Sequence, residues 1–118
     1  IGDYTQIAAN VGIISANHNL YDNRQHVYGE VRIGKYCWIG MNATILPNVI
    51  LGDYTIVGAG AVVTKSFSEG YCVIGGNPAK LLKKLNKEKC IFHKSEHEYN
   101  GYIPATQFEA FRQQKLKV

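Results

Sequence analysis

Residues 33–68 decide the fold, because they repeat with a period of six: IGKYCW, IGMNAT, ILPNVI, LGDYTI, VGAGAV and VTKSFS. Each block opens with an aliphatic residue, and the second residue is glycine in four of the six. A helix repeats every ~3.6 residues and a strand every ~2, so neither alone gives this period. A chain that runs straight and turns a corner after each block gives a period of six. The pattern predicts an all-β solenoid, a parallel β-helix with triangular coils.

The phase of the repeat also predicts which residues stack on one another. Three blocks make one coil, so the expected stacks are Ile33 under Leu51, Ile39 under Val57 and Ile45 under Val63. These aliphatic side chains are expected to point inward and form the core.

Residues 1–18 fit one further coil, and the period then breaks. The blocks are IGDYTQ, IAANVG and IISANH, whereas residues 19–32 read NLYDNRQHVYGEVR and start without any hexad pattern. An insertion of this kind leaves a solenoid as a loop on one face, often the binding face. We therefore expect a polar inserted loop over about 19–32 within a β-helix that spans 1–76.

The remaining sequence predicts helices. Asn77 followed by Pro78 is typical of a helix start, because Asn caps and Pro fits the first helical position. This favours a capping helix over 77–88, which would cover the open end of the solenoid. Residues 89–118 form an extension whose role the sequence does not indicate, with a second helix expected over 105–115.

Bulk properties narrow the class of protein. The net charge of +4 is modest, and the late lysines are not interleaved with groove-reading aromatic residues, so we expect no nucleic-acid partner. No apolar run is long enough to span a membrane, and no signal peptide is visible. Three cysteines without a spacing pattern are typical of free thiols in a reducing compartment, so a cytoplasmic location is expected.

His18 is the strongest candidate for chemistry on the residues alone. It closes the third hexad and stands at the edge of the inserted loop. A neutral imidazole can accept a proton from an alcohol near neutral pH, so this position suits a general base. A structural role at a turn is the competing interpretation.

The coils, the runs CWIGMNATILPNV and IVGAGAVVTKSF, and the ending GGNPAK resemble the hexapeptide-repeat acetyltransferases, in particular the maltose, galactoside and polysaccharide O-acetyltransferases. The resemblance covers residues 1 to about 86. It implies a left-handed β-helix, a homotrimer with active sites between subunits, and acetyl-CoA as co-substrate, with no metal. It further implies direct attack of an acceptor hydroxyl on the thioester, with His18 as general base. The family commonly has Pro after this His, where this chain has Asn19.

The resemblance also assigns roles by position. On the acceptor side, Trp38 matches the tryptophan of the family's W-I-G run, and Asn17, Asp22 and Arg24, with Asn10, are candidates to orient the acceptor or His18. The expected cofactor-binding positions are Met41, Ala59, Gly60, Thr64, Lys65, Asn77, Pro78, Lys80 and Lys83. Lysine suits the nucleotide phosphates because it is a compact point charge.

Three alternatives stay open. The first is an acceptor that carries an amine rather than a hydroxyl, as in an amino-sugar or xenobiotic N-acetyltransferase. A zinc carbonic-anhydrase-like β-helix would need three histidines around the metal; His18 and His26 lie in or beside the loop, and the repeats supply no third. His93 and His97 have the i, i+4 spacing of a helical metal site but lie outside the solenoid. A non-catalytic scaffold is the third, since fold alone does not decide function.

Overall fold

The computed structural model describes residues 1–94, 99–100 and 103–116. Its first eleven strands are β1 Gln6–Ile7, β2 Gly12–Ile13, β3 Ala16–His18, β4 His26–Tyr28, β5 Arg32–Ile33, β6 Trp38–Ile39, β7 Thr44–Ile45, β8 Ile50–Leu51, β9 Thr55–Val57, β10 Val62–Val63 and β11 Cys72–Gly75. After them come β12 Lys80–Lys84, α1 Lys87–Phe92, β13 Tyr99–Asn100, β14 Ile103–Pro104, α2 Ala105–Phe111 and a π-helical segment, Arg112–Leu116.

The strands pair in parallel at the spacing that the hexads predict. The first face has the order β1-β6-β9-β11-β12, the second β10-β7-β2, and the third pairs β5 with β8. The three predicted stacks are all present: Ile33 pairs with Leu51, Ile39 with Val57 and Ile45 with Val63, each eighteen residues apart. All six of these side chains are buried. The predicted parallel β-helix is therefore confirmed for this part of the chain.

The insertion shows up as a jump in register. Ile7 pairs with Ile39 and Ile13 with Ile45, thirty-two residues apart instead of eighteen. The additional fourteen residues match the predicted insertion over 19–32. Its shape differs from a plain loop: β3 and β4 form an antiparallel hairpin, and the chain leaves the solenoid after Ser15, whose carbonyl accepts from the Gly29 N–H. His18 thus ends a hairpin strand rather than closing a solenoid hexad.

Residues with positive φ lie at all three corners of the prism. The tyrosine corner, between the third and first faces, holds Tyr4, Tyr36, Tyr54 and Tyr71. Their rings stack in sequence with centroids 4.9–5.5 Å apart. The asparagine corner, between the first and second faces, holds Asn10, Asn42, Gly60 and Gly76. We call the third the wide corner; it contains Asn48, against which Gly29 at the base of the hairpin packs.

The predicted capping helix over 77–88 is wrong. Residues 80–84 form the strand β12, which pairs antiparallel with β11 and so covers the last parallel strand of the first face. The helix α1 begins later, with Asn86 as its N-cap: the Asn86 side chain accepts from the Lys89 N–H at 3.0 Å. The unpaired edge of β11 offered a better set of backbone partners than a free helix, since four of the five residues of β12 gain a ladder position, all but Leu82 at a register shift.

The extension contains the second helix that the sequence predicts. α2 spans Ala105–Phe111 and continues into the π-helical segment, which ends at Leu116, one residue beyond the predicted range of 105–115. None of the helices in the described part of the chain is long and apolar enough to cross a bilayer.

Candidate active site

His18 is held by a hydrogen bond that fixes its tautomer. Its Nδ1 lies 2.6 Å from the backbone carbonyl oxygen of Asn23. A carbonyl oxygen only accepts, so Nδ1 carries the hydrogen in this contact, and the lone pair of the neutral ring is on Nε2. The imidazole is exposed at the end of β3 and lines a shallow depression on the hairpin with Asn17 and Val27.

Asn19 shapes the hairpin loop that supplies this carbonyl. Its Oδ1 accepts from the N–H groups of Tyr21 and Asp22, at 2.8 and 3.2 Å, and its Nδ2 donates to Oε1 of Gln25 at 3.0 Å. This is an Asx turn, in which a short polar side chain replaces backbone partners. The Asn19 side chain thus holds the loop around His18 through three hydrogen bonds.

Asp22 and Arg24 contact each other at the loop surface. The Arg24 guanidinium donates through Nε and Nη2 to the two carboxylate oxygens of Asp22, at 2.9 and 3.2 Å. These hydrogen bonds lower the pKa of the Asp22 carboxyl and raise that of Arg24. Both groups are exposed, so the pair presents a fixed polar edge near His18 rather than a buried charge.

Sequence reasoning missed two residues beside His18. Asn23 supplies the carbonyl just described, and His26 lies opposite His18 in the β3–β4 register. The two imidazole centroids are 4.8 Å apart, with the rings nearly perpendicular. The hairpin pairing that brings His26 to His18 was not expected, because the insertion had been predicted as a loop.

Trp38 and Lys83 lie on the outer side of the first face. The register runs Gln6, Trp38, Ile56, Val73 and Lys83 across the five strands. Three strand spacings separate Trp38 from Lys83, or about 14 Å. Trp38 is 55% exposed, and Lys80, which pairs with Gly75, projects from this same side. The result is a mainly apolar strip with lysines at one end. Within it, Gln6, Trp38 and Ile56 line a cavity whose other wall includes Lys89 and His93.

Met41, Ala59 and Gly60 meet at the asparagine corner, next to this strip. The Gly60 N–H donates to the Met41 carbonyl at 2.8 Å. A Cβ built on Gly60 would meet no atom within 4 Å, so the backbone at this corner is open to close approach by a ligand. Asn10 lies at the same corner, two coils from Gly60, and has positive φ. It is therefore part of the turn between the first and second faces and does not lie beside His18.

The other predicted cofactor positions lie at the upper end of the solenoid. Asn77 and Pro78 belong to the turn over the second face, where Val62 donates to the Gly76 carbonyl and accepts from the Ala79 N–H. Thr64 and Lys65 follow β10 toward the wide corner, and the Lys65 ammonium lies 5.5 Å from the Phe67 ring centroid.

His18 and Trp38 are on different sides of one chain. The hairpin leaves at the wide corner, between the second and third faces, whereas Trp38 projects from the first face, opposite that corner. The depression at His18 is lined by Asn17, His18, Asn19, Leu20, Tyr21 and Val27, without Trp38. A single chain therefore does not bring the predicted base and the predicted tryptophan together.

The metal alternative rested partly on His93 and His97. His93 follows α1, while His97 lies outside the described residues. Within residues 1–94, 99–100 and 103–116, no three His, Cys, Asp or Glu side chains are grouped so that they could hold a metal ion.

Known proteins match this chain in sequence and in fold. The family model described as bacterial transferase hexapeptide (six repeats) matches residues 30–65. A putative lipopolysaccharide biosynthesis O-acetyl transferase, WbbJ of Escherichia coli K12, is 37% identical over 108 residues, which cover 80% of this chain and 55% of that protein.

Two solved structures extend the comparison. A maltose O-acetyltransferase from Clostridium difficile 630 superposes with a TM-score of 0.65 at 33% identity, covering 70% of this chain and 46% of the other. A hexapeptide-repeat acetyltransferase from Vibrio cholerae, complexed with acetyl-coenzyme A, gives 0.67 at 29% identity, covering 72% and 48%.

This chain spans about half the length of the relatives that it matches. The matched relatives are named as acetyltransferases, one of them as a hexapeptide-repeat acetyltransferase, and the family resemblance inferred from the sequence is confirmed. The solenoid segment over residues 30–65 is a bacterial transferase hexapeptide repeat of the type found in the hexapeptide-repeat acetyltransferases.

Proposed function

We propose that the chain supplies the active-site solenoid of an acetyl-CoA-dependent O-acetyltransferase, with His18 as general base. The observation that carries this proposal is the 2.6 Å contact between Nδ1 of His18 and the Asn23 carbonyl. It leaves Nε2 as the proton acceptor of the neutral ring, on an exposed hairpin where an acceptor molecule can reach it.

The reaction needs only positioning and one proton acceptor. The acceptor hydroxyl gives its proton to Nε2 of His18 while its oxygen attacks the thioester carbonyl. A carbon–oxygen bond forms, the carbon–sulfur bond breaks, and the proton passes from His18 to the departing CoA thiolate. A thioester is already activated, so no covalent intermediate on the protein is required. Holding the two substrates together supplies much of the acceleration.

The acceptor is proposed to be a sugar or a saccharide-related molecule. Asn17 lines the depression at His18, and the Asp22–Arg24 pair offers both acceptors and donors to hydroxyl groups. The relatives named above include a maltose O-acetyltransferase, which is consistent with a hydroxylated acceptor. Trp38 offers an aromatic surface against which a sugar ring can pack.

The donor is proposed to lie along the outer side of the first face. Open backbone at Gly60 allows close approach of an amide-bearing chain, with Met41 and Ala59 beside it. Lys80 and Lys83 project from the same side of β12 and suit the nucleotide phosphates. Asn77, Pro78, Thr64 and Lys65 are proposed to complete this site at the upper end of the solenoid.

The proposed assembly is a homotrimer with sites between subunits, and the placement of His18 and Trp38 supports a site shared by two copies. The two project from opposite sides of one prism, so a shared site requires the hairpin of one copy to reach the first face of another. The hairpin also exposes apolar side chains: Leu20 is 94% and Tyr21 99% exposed in the single chain. Burial of such side chains against a second copy is favourable.

The test is acetyl transfer from radiolabelled acetyl-CoA to maltose and, separately, to glucosamine. We expect labelled saccharide whose acetyl group is released by mild hydroxylamine, as an ester is, and loss of labelling in His18→Ala. A hydroxylamine-resistant amide formed only on glucosamine would replace the proposal by N-acetylation. Failure to label either acceptor, with acetyl-CoA binding absent, would contradict the assignment to acetyl transfer.

A further inference from the structure

We propose that His26 is a positioning residue for His18: its ring holds the His18 imidazole in the orientation in which Nδ1 donates to the Asn23 carbonyl. The inference rests on the proposed function, because it gives the base a second support. Neither the repeat match nor the relatives assign a role to His26.

The hairpin register places the two histidines face to face. β3 and β4 are antiparallel, and His18 is the direct partner of His26. Side chains of directly opposed residues project from the same side of a sheet and lie close enough to contact. The ring centroids are 4.8 Å apart and the ring planes make an angle of 82°, an edge-to-face arrangement that aromatic rings favour.

His26 is itself supported from its own strand. Tyr28 lies two residues further along β4, on the same side, with its ring centroid 6.2 Å from that of His26 and an interplanar angle of 70°. The three rings form a row: Tyr28 contacts His26, and His26 contacts His18. The row begins at Tyr28, where the hairpin joins the solenoid, and ends at His18, the proposed general base.

Two contacts are needed to orient an exposed imidazole. The hydrogen bond to Asn23 fixes one point of the ring, but an exposed side chain can rotate about that point. The edge-to-face contact with His26 restrains the second direction. Catalytic groups lose much of their effect when their geometry is loosened by a fraction of an ångström, so such support affects turnover directly.

The described contacts indicate that the His26 ring acts as a packing surface for His18 rather than as a second base. None of the hydrogen bonds recorded for the described residues involves a ring nitrogen of His26, so its tautomer is not fixed as that of His18 is. A phenyl ring can therefore replace it in this role, whereas a methyl group cannot.

The first test reads the tautomer of His18 without any substrate. Long-range ¹H–¹⁵N correlation spectra of the full chain are recorded for the parent, His26→Ala and His26→Phe. We expect the pattern of a single neutral tautomer with hydrogen on Nδ1 in the parent and in His26→Phe, and an averaged pattern in His26→Ala. An unchanged His18 pattern in a folded His26→Ala variant would overturn the inference.

The second test separates turnover from binding, with maltose as acceptor. For His26→Ala we expect kcat to fall about ten- to a hundred-fold while the KM for acetyl-CoA stays within about two-fold. His26→Phe should restore most of the loss. A His26→Phe variant as inactive as His26→Ala would show that His26 needs its nitrogens and would overturn the positioning role.

The experiments distinguish failure of this inference from failure of the proposed function. If the parent transferred no acetyl group to maltose, the acceptor or the reaction would be wrong. The spectra would still decide whether His26 orients His18. If the spectra showed no dependence on His26 while the parent was active, the inference would fail and the proposed function would stand.

Discussion

Nδ1 of His18 lies 2.6 Å from the carbonyl oxygen of Asn23, five residues further along the chain. This contact turns a histidine on an exposed hairpin into one with a defined free nitrogen. If that nitrogen removes the acceptor proton, His18→Ala should lower kcat by about 10²- to 10⁴-fold, the usual worth of a general base. The acetyl-CoA dissociation constant should change by less than about two-fold, and steady-state kinetics with calorimetry measure both. Parent-like turnover in His18→Ala would remove the base assignment.

Asn19 should matter for turnover although it touches no substrate in the proposal. Asn19→Ala removes the two hydrogen bonds that its Oδ1 accepts and the one that Nδ2 donates, so the loop carrying Asn23 loses its support. We expect kcat to fall about ten-fold, while stability falls by only about 1 kcal/mol because the loop is exposed. Asn19→Asp keeps both accepted bonds and should retain most activity. Equal loss in the two variants would argue against this role.

The two sides of β12 give a matched pair for the donor site. Lys80 projects from the outer side of the first face, opposite Gly75, whereas Lys84 pairs with Cys72 and projects from the other side. Lys80→Ala should raise the KM for acetyl-CoA about ten-fold, and the effect should shrink as salt is added, since it is electrostatic. Lys84→Ala removes the same charge and should leave KM nearly unchanged. A larger effect of Lys84→Ala would place the phosphates elsewhere.

The core of the fold could be predicted from sequence because it depends on a repeat. The openers Ile33, Ile39 and Ile45 determine the stacking, and their partners eighteen residues later were found where the phase required. The length of the insertion was also predictable, since it equals the number of residues that interrupt the period. In the solenoid, the hexad pattern along the chain therefore also specifies which residues pair between coils.

The predictions that were wrong concern β12 and the β3–β4 hairpin, whose strand pairings leave no periodic pattern in the sequence. β12 reads KLLKK, which is compatible with a helix, and only the free edge of β11 makes it a strand. Local propensity is a weak prior that tertiary partners override. The hairpin failed for the same reason: a polar stretch does not show that His18 and His26 are opposed. Asn19 carried a usable signal, because an Asn side chain favours turns by accepting from the backbone two residues further on.

Gly70 tests the tyrosine corner. Its φ is +67°, and a Cβ there would lie inside van der Waals contact of the Asp53 carbonyl oxygen. Gly70→Ala should therefore lower the free energy of unfolding by about 2 kcal/mol or more. Gly60→Ala is the control, because φ is +70° there but the space is open, and it should cost about 1 kcal/mol or less. Denaturant unfolding measures both, and equal losses would show that the contact with Asp53 is unimportant.

The buried thiol of Cys37 should make the free energy of unfolding depend on pH. Burial raises the pKa of its thiol, and the thiol donates to the Gly52 carbonyl at 3.3 Å. A thiol with a raised pKa in the folded state contributes stability that is complete below the unfolded pKa and is lost as pH rises through the folded one. The free energy of unfolding should thus decline in the alkaline range, and less so in Cys37→Ala. An identical alkaline decline in the two proteins would assign it to other groups.

The most direct test of the account is calorimetric titration of the full chain with acetyl-CoA, with the molar mass of the same sample measured by light scattering. The account predicts about one site per chain in a particle of three chains, because His18 of one copy and the first face of another form each site. A trimer that releases no heat with acetyl-CoA, or a monomer that binds it fully, would contradict an acetyl-CoA site formed between subunits.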